Sequence, residues 1–266
     1  MDSGPSQSFH SSSPDFPHPQ HATTRNQPTV HILLIAHGLP PQSVGGVAQH
    51  TAGLANALVD AGHEVSLITR DGSPVSTPFE VRTVRRRVAG PHQLTVREIA
   101  YGFHDVVDLD GIYENPTLTD SLVSAVEALP TRPDVVHVHH LTGLGTRSLQ
   151  GIRDLGLPVA LTLHDYWLMC PRGQMWSNGG EMCPEVRMAR CEPCLRQTFP
   201  QWWPKAPEDA RAQVERIHAR AKSVVDAADL LITPSAAART PWGSVGVEPG
   251  KIRVVENAVA NWTGST

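Results

Sequence analysis

The chain has 266 residues, 40% hydrophobic and 18% charged, the balance of a folded globular protein able to bury one good core or two modest ones. A formal net charge of -4 offers no global field to recruit nucleic acid or an anionic membrane. No run approaches the ~18 apolar residues of a transmembrane helix.

Residues 1–28 are rich in Ser, Pro, His and Gln and lack an apolar h-region, so they read as a disordered tail rather than a signal peptide or a core element. The expected location is cytoplasmic, at most peripheral at the inner membrane face. Residues 30–36 form a short apolar strand, followed by a turn and then by Gly45 and Gly46. Val47, Thr51, Leu54, Ala55 and Leu58 next recur at helical spacing until Gly62, and residues 63–69 make a second strand. This strand-helix-strand order is a parallel crossover. Glycines at its helix start let backbone N–H groups approach an anion, where the helix dipole is positive, so Gly45 and Gly46 are candidates to face a diphosphate. Gly-Gly before a helix is also a common tight turn.

Residues 79–84 suit a short strand, with Arg85, Arg86 and Arg87 in a loop beyond it. That cluster reads as a solvated edge, the alternative being contact with an anionic acceptor or lipid headgroup. Two helices are expected between residues 92 and 129. A strand over 134–140 puts His137 and His139 on one face, a helix spans 144–155, and a buried strand over 158–163 ends at His164 and Asp165. Histidines thus fall at the carboxyl ends of two strands, the edge where open parallel sheets bind ligands. A long helix over 207–228, a strand over 229–235 and a final strand over 251–259 complete a doubly wound parallel α/β sheet, Rossmann-like, folded over residues 29–259.

All four cysteines fall in one stretch: Cys170, Cys183, Cys191 and Cys194. Four thiolates with one Cys-x-x-Cys knuckle can close a tetrahedral structural zinc site, although only one pair has the short ligand spacing. Cys191-Glu192-Pro193-Cys194 also has the form of a redox motif, but follows no strand. Two disulfides would need an oxidising compartment, and plain reduced thiols remain the other reading.

The order strand, Gly45-Gly46-Val47-x-x-His50, helix, Gly62-His63-Glu64-Val65, strand resembles the opening of the N-terminal domain of family 4 glycosyltransferases, retaining enzymes of the GT-B fold. Asp134 to His139 is similar to the family's D-V-V-H-x-H strand, and Thr162-Leu163-His164 to its T-x-H element. The segments after Ala228 and from Lys251 resemble its A-D and K-I-x-V elements, with Ala258 where glycine is usual. His164 through Gln174 also resembles a subset of the family with a cysteine-bearing loop directly after the cleft histidine.

The resemblance implies a nucleotide-sugar donor, a glycan or lipid-linked acceptor and no catalytic metal. It implies His164 as the catalytic histidine near the transferred sugar, with His50, His137, His139 and Asp165 as substrate contacts. A retaining transfer passes through an oxocarbenium-like state while the diphosphate leaves, so a histidine able to hydrogen-bond a sugar hydroxyl without a permanent charge suits the place. Only the acceptor half of the architecture is covered. Residues 260–266 are expected to begin the interdomain hinge, and the donor-binding domain with its Glu-x7-Glu element is absent from the chain.

The expectation is a half inactive alone, from a truncated gene or working with a separately encoded C-terminal domain. Two other readings stand beside it: a non-catalytic binding or regulatory domain on the same fold, and a metal-dependent hydrolase using His137, His139 and His164. Asp108-Leu109-Asp110 matches the D-x-D signature of the other glycosyltransferase fold without its strand context, and is read as chance.

Overall fold

The computed structural model describes residues 28–73 and 77–257. The expected tail (save its last residue), the hinge over 260–266 and the end of the last expected strand lie outside the described residues. Among the described residues eight strands make one sheet: β1 (His31–Ala36), β2 (Glu64–Asp71), β3 (Val81–Arg87), β4 (Gln93–Ala100), β5 (Val135–Val138), β6 (Val159–Thr162), β7 (Leu230–Thr233) and β8 (Ile252–Val254). Their spatial order is β3-β4-β2-β1-β5-β6-β7-β8, and every pairing is parallel except β3 with β4.

The chain starts at the centre, winds outward to one side, then returns to the other, so the order reverses between β1 and β5. That reversal is the topological switch point, where open α/β sheets leave a crevice at the strand carboxyl ends.

β1 shows why the sheet must be covered on both faces. Leu33 and Ile35 point into one core, while Leu34 and Ala36 point into a second. Helix α1 (Gly46–Asp60) covers the second core through Ala52 and Ala55. The helices α2 (Pro116–Glu127), α3 (Ser148–Asp154) and α5 (Pro207–Asp226) contribute Leu118, Leu122, Leu149, Val214 and Ile217 to the first. Two aspartates align the strands. Asp134 accepts the His31 N–H at 2.8 Å at the start of β1, and Asp229 accepts the Val159 N–H at 2.8 Å at the start of β6. Each carboxylate satisfies a strand-end donor that the ladder leaves over.

Several elements differ from the expectations. Gln93–Ala100, expected as helix, is a strand, because Leu94, Val96, Ile99 and Ala100 are buried on the sheet while Thr95 and Arg97 lie between its two neighbours. Arg85, Arg86 and Arg87 belong to the antiparallel edge strand β3 rather than to a loop, and Arg86 is paired with Glu98 at 3.0 Å. Helix α3 starts at Ser148 rather than 144, since Gly143 and Gly145 hold positive φ angles in the preceding turn. The last strand is three residues long. The cysteine-bearing segment contains helix α4 (Met188–Thr198), which carries Cys191 and Cys194. A short helix α6 (Ala236–Arg239) follows β7, capped by the Ser235 hydroxyl. Among the described residues no helix is long and apolar enough to cross a membrane.

The D-x-D triplet has a structural use. Asp108 accepts the Gly111 N–H at 2.8 Å. Asp110 receives Arg216 at 2.6 Å and Arg220 at 2.9 Å, and Arg220 also reaches Glu114 at 2.9 Å. Burial alone would raise the Asp110 carboxyl, but the hydrogen bonds from Arg216 and Arg220 outweigh it and hold the pKa below the usual carboxylate value.

Arg220 is only 12% exposed and lies over the Tyr113 ring, whereas Arg216 is 52% exposed. Arg220→Met should therefore cost about 2 kcal/mol by removing the less exposed guanidinium from Asp110 and Glu114, which keep Arg216 and Arg147. Arg216→Met should cost under about 1 kcal/mol. Urea unfolding of the two variants checks the ordering; equal losses would mean that the network is not buried enough to matter.

Candidate active-site cleft

The switch point gathers histidines from four elements. His37 follows β1, His50 lies on the first turns of α1, His137 to His140 end β5, and His164 with Asp165 follows β6. His139 Nδ1 lies 3.1 Å from His164 Nε2, and the His50 ring stands 4.9 Å from His164 and 5.4 Å from His139. The His137 ring is 4.1 Å from that of His139, on the shared face that strand alternation requires, and its Nε2 is 2.7 Å from the Thr162 hydroxyl. His140 is held on both sides: the Thr142 N–H donates to its Nδ1 at 3.1 Å, so its Nε2 carries the proton and donates to Asp165 at 3.2 Å. Asp165 also accepts the Trp167 N–H at 2.8 Å.

The electrostatics follow from crowding. Burial lowers His164 to about 3, with His50 and His140 adding to the effect. Burial likewise brings His37 and His137 to about 4, takes His139 well below the ordinary value and lowers His50. Burial would raise Asp165, yet the His140 hydrogen bond and the Trp167 N–H keep its carboxyl lowered. At neutral pH His37, His50, His137, His139 and His164 therefore stand uncharged beside the Asp165 carboxylate. Such a surface offers donors and acceptors to hydroxyl groups without a fixed positive charge. Two buried imidazole atoms of the cleft, His37 Nδ1 and His139 Nε2, have no partner among the described residues.

Gly45 caps α1 with an extended backbone, φ -66 and ψ 162, so nothing in the fold demands glycine there. A Cβ at Gly45 or Gly46 would meet nothing within 4 Å. The space is open. Gly38 is different, since its Cβ would stand 2.7 Å from the Ser43 side chain, so the loop before α1 closes only with glycine at that place. Beside this loop lies a cavity of about 390 Å³ whose walls include His37, Ser43, Thr69, Arg70, Arg86 and Glu98.

His50, His137, His139, His164 and Asp165 meet in one cleft, with Gly45 and Gly46 one turn of α1 before His50. His37, His140, Thr162 and Arg70 were not selected from the sequence. The signal for all four was present, because each lies at or just beyond the carboxyl end of a strand: β1, β5, β6 and β2 respectively. Among the described residues, the donor atoms of His50, His139 and His164 lie within 4.8 Å of one another and could ligate a metal ion. The trio joins His50 to His139 and His164 in place of His137. The four cysteines lie apart from the histidines, all lining one small cavity between α4, α5 and the segment after Asp165. Burial pushes the Cys191 thiol up to about 11 and raises Cys170.

The family model described as Glycosyltransferase Family 4 matches residues 44–260. A search of curated proteins finds no match. Among solved structures, a protein described as a UDP-N-acetylglucosamine 2-epimerase from Listeria monocytogenes is similar at 10% identity and a TM-score of 0.46, over 85% of this chain and 45% of that one. The UDP-GlcNAc 2-epimerase from Neisseria meningitidis bound to UDP-GlcNAc is 11% identical, with a TM-score of 0.43 over 85% of this chain and 46% of that one. An E. coli structure described as trehalose-6-phosphate bound with UDP-2-fluoro glucose is 11% identical, with a TM-score of 0.41 over 81% and 42%. The chain spans less than half the length of these structures.

Imidazoles kept neutral by burial bind fewer protons when folded than when unfolded, so stability is full above the unfolded value near 6.5 and falls as pH drops through about 4. Urea midpoints measured from pH 7.5 to 4.5 should decline steadily below pH 6.5. In His137→Asn the slope should flatten; an unchanged slope would place the linked protons elsewhere.

Proposed function

The chain belongs to glycosyltransferase family 4, and we propose that it forms the acceptor side and the diphosphate-facing loop of a retaining, nucleotide-sugar-dependent enzyme. The observation that carries this is the meeting of the α1 start with His139 and His164 at the sheet's switch point, inside the segment matched by the family. The open space beside Gly45 and Gly46 would let a diphosphate approach the backbone at the positive end of α1.

His164 lies beside that place and is neutral at working pH. It serves as a hydrogen-bonding partner to the transferred sugar, and its contact strengthens as positive charge spreads over the ring and the leaving group departs. Asp165 and His140 orient the loop that carries it. The cavity lined by His37, Thr69, Arg70 and Arg86 suits a polar acceptor, a glycan or a lipid-linked sugar. Donor contacts to nucleotide and sugar come from a second Rossmann-like domain with a Glu-x7-Glu element, in the same longer protein or as a separately encoded chain.

The test supplies a family 4 C-terminal domain, fused or in trans, and measures transfer and donor affinity with a panel of nucleotide sugars. Transfer is expected only with the second domain present. His164→Ala should lower turnover far more than donor affinity, by about 2.7–4 kcal/mol of transition-state stabilisation. Gly46→Val should fold normally, since its side chain enters open space, and should weaken the donor itself. Robust transfer by this chain alone, or unchanged turnover in His164→Ala, would overturn the assignment. Sugar binding without transfer in every pairing would favour the non-catalytic reading.

A further inference from the structure

The cysteine cavity has no place in sugar transfer as derived above, and it is built from three separate pieces of chain. Cys170 lies in the turn after β6, where its N–H donates to Tyr166 O at 2.8 Å and the Tyr166 N–H donates to Gly173 O at 3.0 Å. Cys183 is tied to the same turn, its N–H donating to Met175 O at 2.7 Å. Cys191 and Cys194 sit one turn apart on α4, whose Leu195 enters the core beside α5. All four are free thiols, none is fully exposed, and all four line one cavity with Met169, Met175 and Val186.

We propose that these four cysteines hold a thiophilic metal centre that fastens the segment after Asp165 to α4. Residues 166–187 contain only an isolated bridge, between Trp176 and Met182, as regular structure. A segment so poor in hydrogen-bonded ladder needs another source of order, and a metal bound by residues far apart in the chain supplies it as folding free energy. Every cysteine in the protein lines one cavity, with no disulfide among them, an arrangement from which a thiolate site can close.

The same four-thiolate chemistry serves two centres. A single tetrahedral zinc, with Zn–S of about 2.3 Å, needs the sulfurs closed to about 3.8 Å of one another. The sulfurs line one cavity, but no three of them meet as closely as the three cleft imidazoles, so the wider thiolate spacing of an iron–sulfur cluster is the second candidate. Cys170 lies six positions beyond His164, so either centre would also set the loop that presents His164 and Asp165.

The experiment uses the full chain, without a histidine tag, purified anaerobically and without chelator. Zinc, iron and acid-labile sulfide are measured together with native thiol titration. Stoichiometric metal with four unreactive thiols is the expected result: colourless protein with about one zinc per chain, or coloured protein with iron and matching sulfide. Cys191→Ser and Cys194→Ser should each lose the metal, and chelation of the wild type should lower its melting temperature and change its tryptophan fluorescence, since Trp176 borders the cavity. His218 borders it as well. His218→Gln should keep the metal, and loss there without loss in Cys191→Ser would overturn the four-thiolate assignment. Should the cysteine variants not fold, the wild-type metal content decides. Folded wild-type chain free of zinc, iron and sulfide, its thiols reactive or paired as disulfides, overturns the proposal.

Discussion

Everything in this molecule depends on a sheet whose strands, the edge strand β3 excepted, run the same way while apolar side chains cover both faces. Parallel pairing forces each connection between parallel neighbours to cross back over a face, so helices lie on both sides and the carboxyl ends of β1, β2, β5, β6 and β7 share one edge. Loops that are distant in sequence therefore open side by side. His37, His139 and His164 come from three such loops, and α1 adds His50 because its start must also lie at that edge.

Packing sets the chemistry of the cleft as much as residue type does. A histidine in water titrates near 6.5, within reach of physiological pH. Burial, with neighbouring imidazoles that would repel a second proton, keeps the cluster uncharged. In the transfer proposed here, a cationic cluster would hold the leaving diphosphate tightly but would oppose the positive charge that grows on the sugar ring. A neutral one can hydrogen-bond sugar hydroxyls, leaving attraction of the diphosphate to backbone N–H groups and the helix dipole.

The segment after β6 shows a second way of making order. Elsewhere the sheet and its helices satisfy the backbone, and the aspartates at 134 and 229 complete the strand starts. Between Tyr166 and α4 there are turns, one bridge and two of the four thiols round the cavity, with the Tyr113 hydroxyl donating to Trp167 O at 2.8 Å as one link to the core. Order there falls to side chains, and it bears directly on the loop holding His164 and Asp165.

Hydrophobic periodicity and turn residues alone determined the parallel α/β class, the opening crossover and the strand-end position of both histidine groups. These are local signals, and each is written within a dozen residues. Periodicity failed at Gln93–Ala100, where the burial of Leu94, Val96 and Ile99 depends on β2 and β3 lying to either side. It failed too for Arg85, Arg86 and Arg87, since an edge strand keeps its polar residues and reads like a loop. The motif resemblance marked His164 and Asp165 as cleft residues, but their partners His140 and His37, the alignment of His50 with His139, and the gathering of four cysteines round one cavity were decided by tertiary structure. The reason is physical: which side chains meet depends on strand order and crossover, a property of the whole sheet that no single segment encodes.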